Sequence, residues 1–160
     1  MTVYAQNAGA WFDSVSMVTA TLGTNDPEVG TVRREGDEEY LFVYNTGSNA
    51  QISPGYVATV SAVTGYSVTV STTTMIDHPV GVCKHATITT GAYGWLLRYG
   101  FGTAKMPANS GCAAGQLLTV GADGVSAVKS ISTDAPGIVY GKVMEATGSA
   151  GVATAFFKFF

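Results

Sequence analysis

The stretch Gly55-Tyr56-Val57-Ala58-Thr59-Val60 returns sixty positions later as Gly115-Gln116-Leu117-Leu118-Thr119-Val120. The match runs on at the same spacing. Val68 meets Val128, Gly81 meets Gly141, Thr87 meets Thr147 and Gly91 meets Gly151. Trp95-Leu96-Leu97-Arg98 then meets Ala155-Phe156-Phe157-Lys158. The turn glycines Gly65 and Gly124 fall one residue out of step, as a small turn insertion would produce. The unit is too long and too irregular for a solenoid.

The repeated segments read as strands. Tyr66-Ser67-Val68-Thr69-Val70 alternates with period two, the pattern of a half-buried strand. Residues 57–60 and 66–70 flank a turn at Thr64-Gly65. Residues 117–120 and 125–128 flank Ala122-Asp123-Gly124, which contains the Asp-Gly pair favoured in tight hairpins. The best helical candidate is residues 11–22, with Asp13 or Ser14 as cap, but its Val and Thr content suits a helix poorly.

A shorter unit occurs three times. It opens with a glycine inside an apolar run: Val29-Gly30-Thr31-Val32, Val80-Gly81-Val82-Cys83 and Tyr140-Gly141-Lys142-Val143. It closes with an aromatic-bearing strand at residues 40–44, 95–99 and 155–159. Between them lie Glu35-Gly36-Asp37, Gly91-Ala92-Tyr93-Gly94 and Gly148-Ser149-Ala150-Gly151. Glycine weakens a strand unless a bend, bulge or close backbone approach requires it. Three matched copies therefore predict hairpins with glycine-bearing tips that curve strands around a small barrel. The expected fold is all-β: a small β-barrel or sandwich built from two related halves, residues 28–100 and 101–160, sharing one continuous core. Residues 1–27 fall outside the repeat and read as an N-terminal arm anchored by Trp11 and Phe12. Such an arm can reach a neighbouring subunit, or it can pack on its own domain.

At 160 residues the chain is long enough to bury a sizeable core without a disulfide or metal staple. Charged residues make up 12%, about half the usual share of roughly 25%. The net charge of −3 argues against a nucleic-acid binder, which needs a basic stripe to displace counterions. No apolar run approaches the ~18 residues of a membrane span, and no signal peptide is evident. Six charges fall close together: Arg33, Arg34, Glu35, Asp37, Glu38 and Glu39. They read as a solvated hairpin tip, or as a source of intersubunit ion pairs. Arg33, Arg34, Glu35 and Asp37, with Trp11 and Phe12, are the candidate docking or intersubunit contacts.

Residues suited to catalysis are few. There are two histidines, His78 and His85, and no Gly-x-Ser-x-Gly elbow. Cys83-x-His85 lacks the further ligands a structural zinc site requires. Cys83 and Cys112 read as buried small hydrophobes. Gly91-x-x-Gly94 lacks the Lys-Ser/Thr of a phosphate loop. No catalytic, metal or cofactor-binding residue is expected. The aromatic run Phe156-Phe157-Lys158-Phe159-Phe160 must be covered, by its own sheet or by a partner.

Residues 29–45, from Val29-Gly30-Thr31-Val32 to Tyr44-Asn45, resemble the tailed-bacteriophage proteins that coat the head, as do Pro79-Val80-Gly81-Val82-Cys83-Lys84 and Gly91-Ala92-Tyr93-Gly94-Trp95. The order of residues 114–121 and 138–146, the latter ending in Glu145-Ala146, is similar to that of capsid decoration (cement) proteins. This resemblance spans residues 28–160. It implies a small β-barrel on the outer capsid surface of the virion, bound to the major capsid protein and to itself as a dimer or trimer. It implies no cofactor, nucleic acid or membrane. A different virion component, such as a head fibre base or tail protein, fits the same composition. A carbohydrate-binding β module would instead need an exposed aromatic row, for which Tyr93, Trp95 and Tyr99 are the candidates.

Overall fold

In this computed structural model the structure describes residues 15, 17–23, 26–47, 51–61, 66–70, 79–107, 112–121, 126–128, 139–145 and 151–159. Eleven strands follow in order: β1 (Val18–Thr19), β2 (Val32–Glu35), β3 (Glu38–Asn45), β4 (Val57–Val60), β5 (Ser67–Val70), β6 (Pro79–Val82), β7 (Tyr93–Lys105), β8 (Leu117–Val120), β9 (Ser126–Val128), β10 (Val139–Val143) and β11 (Val152–Lys158). No helix occurs among the described residues, and the helical candidate at residues 11–22 contains β1 instead.

Five strands close on themselves. The ring runs β3–β5–β4–β6–β7 and returns to β3. Only the β3–β5 contact is parallel, with Tyr44 opposite Ser67 and Asn45 opposite Val68. The rest is antiparallel. Closure removes free edges from the ring, which a small open sheet would leave available for unwanted pairing. Strand β7 runs on past the ring. Its first part pairs with β3, and residues 99–105 pair with β11. The order then continues β11–β10–β8–β9.

The sixty-residue repeat is a repeat of backbone structure. Gly55 and Gly115 both have positive φ, 87° and 90°, which glycine adopts without steric cost. The Gly55 amide donates to the Cys83 carbonyl at 2.8 Å, and Gly115 to Val143 at 2.8 Å. The Cys83 amide returns to Tyr56, and Val143 to Gln116. A bulge interrupts β4–β6 between the pairs Ala58–Gly81 and Thr59–Pro79, and β8–β10 between Leu118–Gly141 and Thr119–Val139. One alignment from the sequence needs correction. Val60 faces Val68 and Val120 faces Ser126, so Val68 corresponds to Ser126 and not to Val128. The second hairpin is two residues shorter, and an offset read from identity alone slides past this.

Gly81 and Gly141 permit close approach. A Cβ at Gly81 would lie 2.8 Å from Leu96 Cβ and 3.0 Å from the Leu97 carbonyl. At Gly141 it would lie 3.0 Å from the Phe156 carbonyl and 3.1 Å from the Phe157 ring. Gly30, the supposed third copy, does different work. It precedes β2 with φ 93°, and a side chain there would strike the Tyr66 ring.

Two apolar clusters result. One lines the closed ring and includes Leu41, Val43, Ile52, Ala58, Val68, Cys83, Ile88 and Leu96. The other joins the outer wall of the ring to the inner face of the second sheet. Tyr40, Phe42, Val57, Val82, Trp95 and Leu97 there share a cluster with Leu118, Tyr140, Ala155, Phe157 and Phe159. Where β7 pairs with β11, the inner positions are small except for Phe157: Gly100, Gly102, Ala104, Ala153 and Ala155 make room for its ring. A Cβ on Gly102 would touch both Leu97 and Phe157, so the missing side chain lets the two layers meet.

Candidate interaction surface

The charged segment forms the β2–β3 hairpin, with Glu35 opposite Glu38 across Gly36-Asp37. Gly36 supplies the positive φ of the turn. Its charges are largely matched within the chain. Arg33 pairs with Glu35 at 2.6 Å, and Arg34 with its cross-strand neighbour Glu39 at 3.2 Å. Arg98 of β7 reaches Glu39 at 3.6 Å. Lys84 pairs with Glu38, whose second oxygen accepts from the Tyr40 hydroxyl. The same hydroxyl lies 3.1 Å from His85 Nε2, and the two rings stack. Arg34, Glu35 and Asp37 are exposed. Exposed pairs of this kind contribute little stability, about 0–1 kcal/mol each. Trp11 and Phe12 lie outside the described residues.

The Glu38–Tyr40 pair has shifted titration. Partial burial alone would raise Glu38, but the hydrogen bonds from Lys84 and Tyr40 and the charges of Lys84 and His85 outweigh it. Its carboxyl is held below the ordinary value of 4.5. Burial, and then the bond to Glu38, push Tyr40 well above the usual phenol range. Both effects keep Tyr40 a donor and Glu38 an acceptor.

Cys83 does not converge with His85 on a site. Its thiol sits in the ring's interior cluster and donates to the Ala86 carbonyl, and burial pushes it up to about 12. Cys112 is likewise buried. Among the described residues no group of three His, Cys, Asp or Glu is placed to hold a metal.

A second surface lies on the outer face of β7, β11, β10 and β8. Phe101 is directly opposite Phe156, Phe156 opposite Lys142, and Lys142 opposite Leu117. Directly opposed residues share a face, and so do residues two apart along a strand. This face therefore also carries Tyr99, Thr103, Val152, Thr154 and Lys158, with Met144 just past β10. Phe101 is 53% exposed and Tyr99 42%. Phe156 meets both rings edge to face at 5.1 Å. Of the seven exposed large hydrophobics among the described residues, five lie here: Tyr99, Phe101, Leu117, Met144 and Val152.

The aromatic row considered for carbohydrate binding does not form. Trp95 is only 4% exposed, within the main cluster, and Tyr93 packs against Phe42 and Tyr44. Tyr99 alone of the three is exposed, and its ring neighbours are Phe156 and, beyond it, Phe101. The signal for this row was in the sequence. In Tyr99-Gly100-Phe101-Gly102-Thr103-Ala104 every second residue is glycine or alanine, so the small set faces the core and the large set faces out.

No family model matches the chain, and no curated protein matches it. Among solved structures it is similar to the head fiber gp8.5 N base of bacteriophage phi29. The two align over 74% of this chain and 92% of that one, with a TM-score of 0.51 and 17% sequence identity. At that identity the likeness is one of fold.

Proposed function

We propose that this chain is a non-enzymatic structural protein of a bacteriophage virion that binds the outer surface of the head and stabilises the shell. The observation that carries the reading is the likeness of fold to a head fiber base, extending over nearly the whole of that neighbour. The physical features agree with it. A closed ring with a second sheet packed on its wall gives a rigid body. The low charge leaves broad contact surface, and many copies on one lattice gain avidity without strong single contacts. The partners in this reading are the major capsid protein and further copies of the chain.

A head fibre base is the second reading, favoured because the structural neighbour is itself the base of a head fiber. Both are tested by mixing the purified full chain with heads of its own phage that lack it, then sedimenting the particles. Saturable co-sedimentation, with heads that resist heat better when loaded, is the expected result. Loading across the whole lattice indicates decoration, and loading at a few sites without added heat resistance indicates a fibre base. No co-sedimentation overturns both.

A further inference from the structure

We propose that the outer face of the β7–β11–β10–β8 sheet is the surface that docks on the head, and that it takes an acidic patch with an apolar centre on the major capsid protein. This rests on the head-binding reading above and adds which face docks and what chemistry it meets. Tyr99, Phe101 and Phe156 form a connected aromatic group on this face, with Leu117, Val152 and Met144 around it. Contiguous exposed apolar surface marks interaction sites on soluble proteins.

The repeat indicates that this wall is of a kind that is covered. Leu117, Lys142 and Phe156 stand opposite one another in a row across β8, β10 and β11. The matching row in the first half is Val57, Val82 and Leu97 across β4, β6 and β7, beside the same bulge. Val57, Val82 and Leu97 are fully buried, in the cluster they share with Leu118, Tyr140 and Phe157 of the second half. In the second half Leu117 and Lys142 are exposed, and a lysine stands where the first row has a valine. A cover that fits this second row needs apolar groups over the rings and an acid over Lys142.

Charge selects the occupant. Lys105, opposite Val152, and Lys158, opposite Tyr99, mark the two ends of the β7–β11 pair, and Lys142 flanks Phe156 between them. All three stand on one face of a chain whose net charge is −3. The arginines and Lys84 are matched within the chain by Glu35, Glu38 and Glu39. Lys142 forms no ion pair among the described residues. Of the acids near the face, Glu39 is held by Arg34 and Arg98, and Glu145 accepts from the Thr154 hydroxyl at 3.1 Å. A second copy is a poor cover, because a two-fold contact centred on Phe156 sets Lys142 near its own mate, and like charges facing each other select against a partner. Acids around an apolar centre complement both the lysines and the rings.

Heads of its own phage that lack the chain, sedimented with the full chain over a range of sodium chloride, test it. Binding of the wild type is expected to weaken as salt rises. Phe101→Asp should weaken it by ~10-fold or more, as loss of a central aromatic anchor does. Lys142→Glu should weaken it and flatten its salt dependence, and Lys142→Arg should retain it. Both side chains are exposed, so circular dichroism and the thermal midpoint should stay unchanged in each variant. Wild-type binding that neither Phe101→Asp nor Lys142→Glu alters overturns docking by this face and leaves the head reading in place. Loss with Phe101→Asp but not with Lys142→Glu overturns the acidic partner. Heads that take up no wild-type chain overturn the head reading and this inference with it. A dimer in sedimentation velocity that Phe101→Asp dissociates without loss of head binding gives the face to a second copy, and also overturns it.

Discussion

Asn45 is fully buried at the end of β3, and its amide is used at both ends. Nδ2 donates to the Ile88 carbonyl at 2.9 Å, and Oδ1 accepts from the Gly47 amide at 3.0 Å. Asn45→Ala takes the partner of the Gly47 amide and one of two donors to the Ile88 carbonyl, which the Ile52 amide still serves at 3.0 Å, so a loss of roughly 1–3 kcal/mol is expected in urea unfolding. The Cys83 thiol should resist alkylation at pH 8 in the native protein and react once unfolded, because burial keeps it protonated. Glu38 contributes through its lowered pKa. That stability is present above the ordinary carboxylate value of 4.5 and is lost as pH falls through the lower folded value. Urea midpoints measured downward from pH 4.5 should therefore fall less steeply for Glu38→Gln than for the wild type. The burial of Cys83 was legible in the sequence, but the roles of Asn45 and Glu38 were not, since Asn45 is one polar residue among many. Glu38 looked like one of several solvated acids, because its partner Lys84 reaches it only through the fold.

Strand β7 is the element on which the architecture turns. The apolar run at residues 95–99 announces its first part, and the matched glycines at positions 55, 81, 91, 115, 141 and 151 announce the repeat. An all-β barrel was legible from those alone. That one strand continues through Gly100 and Gly102 was not, because glycine reads as an interruption when the layer it makes room for is unseen. Its φ of 127° at Gly100 and the Glu38 side chain against it explain that residue's place. Part of residues 1–27 packs on the chain's own core. Val15 is buried in the main cluster, Met17 packs against that cluster, and β1 pairs with Gly94 and Tyr93 of β7. Deleting residues 1–23 should therefore lower stability by about 2–3 kcal/mol, the worth of one buried aliphatic side chain with a little pairing. An unchanged thermal midpoint would show that this contact carries no energy.

As a whole, the molecule is a closed ring with a second sheet laid on its wall, joined by a strand common to both and by one cluster drawn from both. That construction predicts a single cooperative unfolding transition, seen alike by fluorescence of the buried Trp95 and by far-ultraviolet circular dichroism. Two separated transitions would mean that the shared strand does not couple the layers. It also leaves one broad face on which the aromatic rings of Tyr99, Phe101 and Phe156 stand beside Lys142 and Lys158. The assembly we propose is a phage head. Cryo-electron microscopy of the virion carrying this chain tests that most directly. Density for the ring and its second sheet is expected on the outside of the head, over the major capsid protein. Density confined to the tail, or a particle without the chain, would contradict it.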